Sequence, residues 1–186
     1  MAETGAQVGE QIKNVAKEAI EAPAKLKKAV VKAEGERPIA IYLGLAHKSD
    51  EHLAEAFTNV ARHHMEPDIY ATCMLMAQWS NGHVDKLKPL VARYREERNK
   101  EPDRLRDALF QGPRSGGIGL LRDLTDLWLA ASEVHCSYEC LVQAAKALRD
   151  KELLDVCLSC EHDADRQLAW LRTRIDQAAP QALTVT

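Results

Sequence analysis

The 186-residue sequence is poor in aromatic residues, which make up 5% of the chain, and it has no long uninterrupted apolar run. The scarcity of aromatics favours packed helices over sheets, because strands are enriched in aromatic and β-branched side chains. Without an apolar run of about 20 residues, the sequence predicts no transmembrane segment. The formal net charge is −3, so no basic excess indicates a nucleic-acid partner.

Other signals are missing as well. The N-terminal residues lack the apolar stretch of a secretory signal, so we expect a cytoplasmic protein. The five cysteines are odd in number, and in a chain of this length they argue against a disulfide framework. The glycine-rich stretch at residues 112–119 lacks the Lys-Ser/Thr ending of a phosphate-binding loop.

Helical periodicity divides the chain into a leader, a domain and a tail. Residues 1–36 form a predicted amphipathic helical leader, residues 37–178 a four-helix domain, and residues 179–186 a C-terminal tail that begins where Pro180 ends the last helix. The sequence leaves open whether the first domain helix is one helix or two, because Ser49 is also a good helix start. Four apolar stripes place the domain helices at residues 38–64, 68–98, 118–149 and 151–177.

Four polar residues interrupt these stripes: His83, His135, Glu161 and Asp165. A charged side chain in a core is costly unless it is paired, hydrogen-bonded or bound to a metal ion. Either these residues line a polar site inside the bundle, or the helices are rotated relative to the predicted stripes.

Counting residues from each predicted turn estimates which positions share a depth. His83 comes out level with Glu51, and Glu161 comes out level with Glu139. His135 and Asp165 are equally far from the second turn, one helical turn deeper. Carboxylates and imidazoles are thus expected at matched depths within each helical hairpin.

The connections between the predicted helices are short, long and short. Short loops join antiparallel neighbours, whereas the irregular stretch 99–117 is long enough to cross the bundle. This layout resembles the ferritin-like four-helix bundle over residues 38–177. The resemblance implies an all-α fold with a long crossover between the second and third helices.

The motifs of the ferritin-like di-metal proteins are matched in part. Those proteins use a Glu from each of two helices and Glu-x-x-His from the other two. Here Ser80-Asn-Gly-His83 keeps the His, and Glu161-His-Asp-Ala164 keeps the Glu. The resemblance implies a core site for iron, manganese or zinc. Its candidate ligands are Glu51, Glu55, His83, His135, Glu139, Glu161 and Asp165.

The replaced ligands at Ser80 and Ala164 leave three functions open. The first is a bundle with a metal site in its core, with or without redox activity. The second is a metal-free ferritin-like bundle that acts as a binding or structural module. The third is a metal or redox protein that uses the thiols of Cys136, Cys140, Cys157 and Cys160.

The sequence does not decide whether the protein is an enzyme. We expect a homo-oligomer, in the simplest case a dimer formed through an outer helix face. The leader is expected to dock on the bundle, on a neighbouring subunit or on another partner.

Overall fold

Four α-helices make up nearly all of the part of the chain that the structure describes, and that part contains no strand. The computed structural model describes residues 38–64, 66–94, 108–112 and 114–184. The predicted leader, residues 1–36, lies outside the described residues. The helices are α1 (Pro38–His63), α2 (Pro67–Tyr94), α3 (Gly116–Leu148) and α4 (Lys151–Thr184). The predicted all-α class and the number of bundle helices are confirmed for these residues.

The helix termini follow local chemistry. Pro38 and Pro67 open α1 and α2, because proline has the φ of a first helical turn and lacks an N–H that would be unpaired there. α1 is one continuous helix with Ser49 inside it. Arg62 and His63 occupy its last turn, where basic side chains complement the helix dipole.

Two prolines lie inside helices, at Pro89 of α2 and Pro180 of α4. The expectation that Pro180 ends the last helix is wrong, since α4 continues to Thr184 and includes most of the predicted tail. A proline removes one helical hydrogen bond and crowds the carbonyl one turn earlier, so it disfavours a helix without forbidding it. The Thr184 hydroxyl donates to the Pro180 carbonyl at 2.6 Å, which satisfies an acceptor in the last turn.

A tight turn joins α3 to α4. Arg149 takes the left-handed conformation at φ 54°, and the N–H of Asp150 donates to the Ala145 carbonyl at 3.0 Å. The Asp150 carboxylate then accepts the N–H of Leu153 at 3.1 Å and so caps the start of α4. This turn makes α3 and α4 antiparallel neighbours.

Each helix packs against two others. α1 packs against α2 and α3, and α4 packs against α3 and α2. Among the described residues, the backbone of α1 does not closely approach that of α4, nor that of α2 that of α3, so each of these pairs lies across a diagonal of the bundle. Side chains still meet across one diagonal, since the rings of His83 and Tyr138 are 5.8 Å apart. The two hairpins thus pack side by side around one core.

The core is built mainly from leucines of the predicted stripes. Full burial of one such side chain stabilises the fold by about 1.5–3 kcal/mol. Its largest fully buried apolar members are Leu43, Leu53, Phe57, Ile69, Leu87, Leu90, Leu124, Leu127, Leu141, Leu153 and Leu171.

The buried face of α4 shares Cys157, Ala164 and Leu171 with the apolar stripe that the sequence predicts, but its centre is turned away from that stripe by less than one residue, or about 60°. Leu158 and Asp165 were placed on that stripe but are exposed, and Glu161 is only half-buried. The buried positions are Leu153, Cys157, Cys160, Ala164, Gln167 and Leu171. Because this ridge includes a glutamine and two cysteines, hydrophobicity alone favours the wrong face.

None of the four described helices combines the length and the apolar character needed to cross a membrane.

Candidate functional site

A network of polar side chains crosses the centre of the bundle; its members are Asp50, His83, Tyr138, Cys160 and Asp163, and we call it the core network. All four helices contribute to it. His83 Nδ1 lies 3.1 Å from Asp50 Oδ1, and His83 Nε2 lies 3.4 Å from Asp163 Oδ2. The Tyr138 hydroxyl donates to Asp50 Oδ2 at 2.5 Å, and the Cys160 thiol lies beside that hydroxyl.

The two central residues of the core network, Asp50 and His83, are buried. Asp50 is 0% exposed and His83 is 1% exposed. Burial, followed by the charge of Asp50, raises the pKa of Tyr138 well above its ordinary range, so its hydroxyl stays protonated and donates. Both imidazole nitrogens of His83 face a carboxylate oxygen, whereas a metal ion would need one of them as a ligand. This arrangement is typical of a hydrogen-bonded structural layer.

A second polar cluster lies on the outer side of the α3–α4 hairpin; it comprises His135, Glu139, Glu161 and Asp165, and we call it the α3–α4 site. His135 Nε2 lies 2.9 Å from Asp165 Oδ1, and His135 Nδ1 lies 3.9 Å from Glu139 Oε2. One ligand atom each from His135, Glu139 and Glu161 fall within 4.8 Å of one another. Each helix supplies two residues spaced four apart, which therefore share a face.

The α3–α4 site combines one imidazole with carboxylates that are partly or largely exposed. The His135 side chain is 19% exposed, whereas those of Glu139 and Asp165 are 56% and 64% exposed. One imidazole and several carboxylates suit zinc, iron or manganese. Donors about 2.1 Å from a tetrahedral zinc ion lie about 3.4 Å apart. The donor atoms here lie within 4.8 Å of one another, so they would have to move closer together to bind such an ion.

The seven predicted ligands do not meet at one core site. His83 lies in the core network, and four others form the α3–α4 site. Glu51 and Glu55 are exposed on α1, where Glu51 Oε1 lies 3.9 Å from His47 Nδ1. This arrangement follows from helix geometry, because a turn of about 100° per residue directs Asp50, rather than Glu51, at His83.

Sequence reasoning missed three members of the core network, namely Asp50, Tyr138 and Asp163. The count from the first turn indicated the correct depth on α1 but named the neighbouring Glu51. Tyr138 follows the apolar spacing of α3, so the pattern does not distinguish it from an apolar core residue. Asp50 could have been found because it is an acidic residue directly before Glu51, the position that the count placed level with His83.

A cleft lies between α1 and α3, with a volume of about 450 Å³, and we call it the α1–α3 cleft. Part of its wall is formed by four residues that precede α3, namely Leu109, Phe110, Gly112 and Arg114. His52, Glu55, Val60, Phe110, Ala130 and Glu133 are among its lining residues.

Ion pairs fix one end of the α1–α3 cleft. Arg114 donates to Asp123 at 2.8 Å and to Asp126 at 2.6 Å. His64 Nε2 lies 2.8 Å from the other Asp123 oxygen, and the Phe110 N–H donates to Asp126 at 2.6 Å. These contacts tie the segment before α3 to α3, and they tie α3 to His64 just after α1.

The four cysteines of the thiol hypothesis fall into an exposed pair and a buried pair. Cys136 and Cys140 are exposed on α3, whereas Cys157 and Cys160 are buried in the core. Burial raises the pKa of both Cys157 and Cys160 to about 12. The predicted approach of Cys140 to Cys160 is not seen, since one thiol faces solvent and the other faces Tyr138.

No protein-family model matches the chain, and comparison with curated proteins and with solved structures finds no match.

Proposed function

We propose that this protein is a ferritin-like four-helix bundle that binds one divalent transition-metal ion at the α3–α4 site. The observation that carries the proposal is the convergence of His135, Glu139 and Glu161 within 4.8 Å on two helices. In a ferritin-like protein the ion would lie between all four helices, so this site is a variation on that plan.

The residues of the α3–α4 site divide naturally into ligands and a support. His135 Nδ1 lies on the side of Glu139, so it would ligate the ion together with Glu139 and Glu161. His135 Nε2 would then donate its proton to Asp165, at the 2.9 Å separation already present. A carboxylate on the far nitrogen orients a ligating imidazole and raises its basicity. The exposure of Glu139 leaves room for water as a further ligand.

The positions of the helix ends support the ferritin-like crossover. Tyr94, at the end of α2, donates to Asp150 at the start of α4 at 2.6 Å. Gly117, at the start of α3, lies against Ala182 near the end of α4. The end of α2 and the start of α3 therefore lie toward opposite ends of α4, as the long connection of a ferritin-like fold requires.

The test is metal analysis of protein purified without chelators, followed by calorimetric titration of chelator-treated protein with zinc. We expect binding of one zinc ion per chain, and we expect His135→Ala and Glu161→Gln each to weaken it by at least about tenfold, because each removes a ligand. At a zinc concentration of about 100 times Kd, the free energy of unfolding should rise by about 2.7 kcal/mol.

Glu51→Gln is the matched control. Glu51 lies four residues after a histidine and 3.9 Å from it, as Glu139 does. The difference is that a second helix adds Glu161 to the His135–Glu139 pair. It should leave zinc binding unchanged. An equal loss in the control, or no uptake of iron, manganese or zinc by the unmodified protein, would refute the proposed site.

The second candidate is a metal-free ferritin-like bundle that serves as a binding module. The core network favours it, because the partners of His83 are two carboxylates rather than an open coordination position. Under this alternative Glu161→Gln would leave the protein folded and equally or more stable, and added zinc would not change its unfolding.

A further inference from the structure

Two cysteines lie one helical turn apart on the surface of α3, and we call them the α3 thiol pair. Cys136 and Cys140 are both exposed, and because they are four residues apart within α3 they share one face of the helix. Their thiols are in hydrogen-bond contact with each other. The remaining cysteines, Cys73, Cys157 and Cys160, are buried. The surface of α3 thus carries two sulfur atoms side by side, apart from the thiols of the core.

The spacing of the α3 thiol pair does not suit a disulfide. Cβ atoms four residues apart on a helix are about 5–6 Å apart, whereas a disulfide requires about 3.5–4.5 Å. A bond between Cys136 and Cys140 would therefore distort α3 next to Tyr138, which lies between them in sequence and is fully buried. The pair is better suited to a ligand that both sulfurs share.

A metal ion held between the two sulfurs fits this spacing. Bonds of about 2.3 Å from an ion to thiolate sulfur place two sulfurs on opposite sides of the ion about 4.6 Å apart. Soft thiolate ligands favour copper(I), which is stable with only two of them in line. Zinc also binds thiolates, but in structural sites it almost always takes four ligands, and the α3 thiol pair supplies two. The number and type of ligands therefore favour copper(I).

The polar groups around the α3 thiol pair do not replace its sulfurs as ligands. The positions three or four residues from either thiol carry no lysine or arginine; they are Ser132, Glu133, Ser137, Glu139, Gln143 and Ala144. Glu139 acts electrostatically on Cys140, but a carboxylate is a hard ligand and competes poorly for copper(I). Both imidazole nitrogens of His135 already face carboxylates, those of Glu139 and Asp165. Selection for copper(I) therefore comes from the sulfurs and not from net charge.

We propose that Cys136 and Cys140 bind one copper(I) ion on the surface of α3. Both thiols release their protons to solvent, and each sulfur forms one bond to the ion. The site is distinct from the α3–α4 site, because its ligands are soft sulfurs rather than an imidazole and carboxylates. It does not depend on the proposed function.

Copper(I) binding is measured by anaerobic titration of the full reduced chain against the chromophoric chelator bicinchoninate. We expect one ion per chain to be held against this competitor. Cys136→Ser and Cys140→Ser should each weaken binding by at least about a hundredfold, because two linked ligands gain a factor of about 10²–10⁴ over one. Failure of the unmodified protein to bind copper(I), or equally tight binding by either variant, would overturn the proposal.

A double variant separates the spacing of the thiols from their number. Cys140→Ser with Gln143→Cys keeps two thiols at exposed positions of α3 but places them seven residues apart, or about 10.5 Å along the helix. Two sulfurs at that distance do not share one ion, so the double variant should bind as weakly as Cys140→Ser alone. Circular dichroism establishes that each variant is folded. If the folded double variant bound copper(I) as tightly as the unmodified protein, any two surface thiols would suffice and the site would be refuted.

Two further measurements separate this site from the α3–α4 site. Copper(I) binding should be unchanged in His135→Ala with Glu161→Gln, and zinc binding should be unchanged in Cys136→Ser with Cys140→Ser. A protein that binds copper(I) through these thiols but takes up no iron, manganese or zinc would overturn the proposed function alone. Loss of copper(I) binding in His135→Ala with Glu161→Gln would instead locate the copper ion at the α3–α4 site and overturn the present proposal.

Discussion

Two polar regions of this bundle combine histidine with carboxylates, but one region is buried and the other is open to solvent. In the core network, His83 lies between Asp50 and Asp163 and is 1% exposed. In the α3–α4 site, the His135 side chain is 19% exposed, and its carboxylate partners are exposed by more than half. The first region has its hydrogen bonds completed by the protein, while the second has acceptor oxygens turned to solvent.

The comparison teaches that the residue type does not by itself indicate a ligand site. A buried carboxylate that loses its donors costs the fold its full desolvation penalty, so the core network contributes to a unique packing. An exposed carboxylate costs little when it changes partners, so it is available to a metal ion.

The largest expected difference is in reactivity between the buried thiols and the exposed thiols. Burial raises the pKa of Cys160 to about 12, so its thiolate fraction at pH 8 is about a thousandfold below that of a thiol of ordinary pKa. Cys73 and Cys157 are buried in the same way, whereas Cys136 and Cys140 are exposed. We expect Ellman's reagent to modify two thiols rapidly in the native protein and all five in denaturant. Rapid reaction of a third native thiol would show that the core opens easily.

Removal of the central carboxylate should give the next largest effect. Asp50→Ala leaves His83 and Tyr138 buried without their shared acceptor, and we expect a loss of about 3–5 kcal/mol in the free energy of unfolding. The neighbouring Glu51→Ala, on the exposed side of α1, should change it by less than about 0.5 kcal/mol. Urea denaturation of both variants measures the difference. Similar losses for the two would mean that the core network is not structurally important.

Asp150 tests whether a fully hydrogen-bonded carboxylate contributes to stability even when it is not deeply buried. Its side chain is 18% exposed, yet it accepts hydrogen bonds from Tyr94, Arg93 and the N–H of Leu153. The bond from Tyr94, followed by those from Leu153 and Arg93, lowers the pKa of Asp150 below its ordinary value. Because the folded state favours the ionised form, the contribution is present above about pH 4 and is lost as pH falls through the lowered pKa.

We therefore expect Asp150→Ala to cost about 1–2 kcal/mol at pH 7 through loss of the helix cap and its side-chain bonds. The cost should shrink below pH 4, where the unmodified protein also loses this contribution. Asp155→Ala, at an exposed position of α4, is the control and should have little effect at either pH. A cost for Asp150→Ala that did not depend on pH would contradict the role of the ionised carboxylate.

His135→Ala should have the smallest effect on the metal-free protein. The ion pair of His135 with Asp165 is half-open to solvent, and such pairs contribute about 0–1 kcal/mol. In saturating zinc, the same substitution should also remove the metal-dependent gain in thermal stability. A loss of several kcal/mol without metal would place His135 in the same class as His83.

The accuracy of the sequence predictions followed the strength of the local signal. The stripes of α1 and α3 indicated the buried faces well, because Leu, Ala and Phe recur there at helical spacing. The buried face of α4 was predicted only in part, because Gln167 and Cys160 are buried while Leu158 is exposed. The depth count brought His135 and Asp165 together correctly, at 2.9 Å, because a tight turn fixes the register of a hairpin.

The sequence by itself determined four helices, their approximate ends and the pairing of α3 with α4, since these depend on periodicity and short turns within neighbouring segments. Only the tertiary structure decided that Asp50 rather than Glu51 meets His83, and that Glu161 faces outward with Glu139. The reason is geometric: one residue turns a helix by about 100°, and packing against the other helices sets that angle.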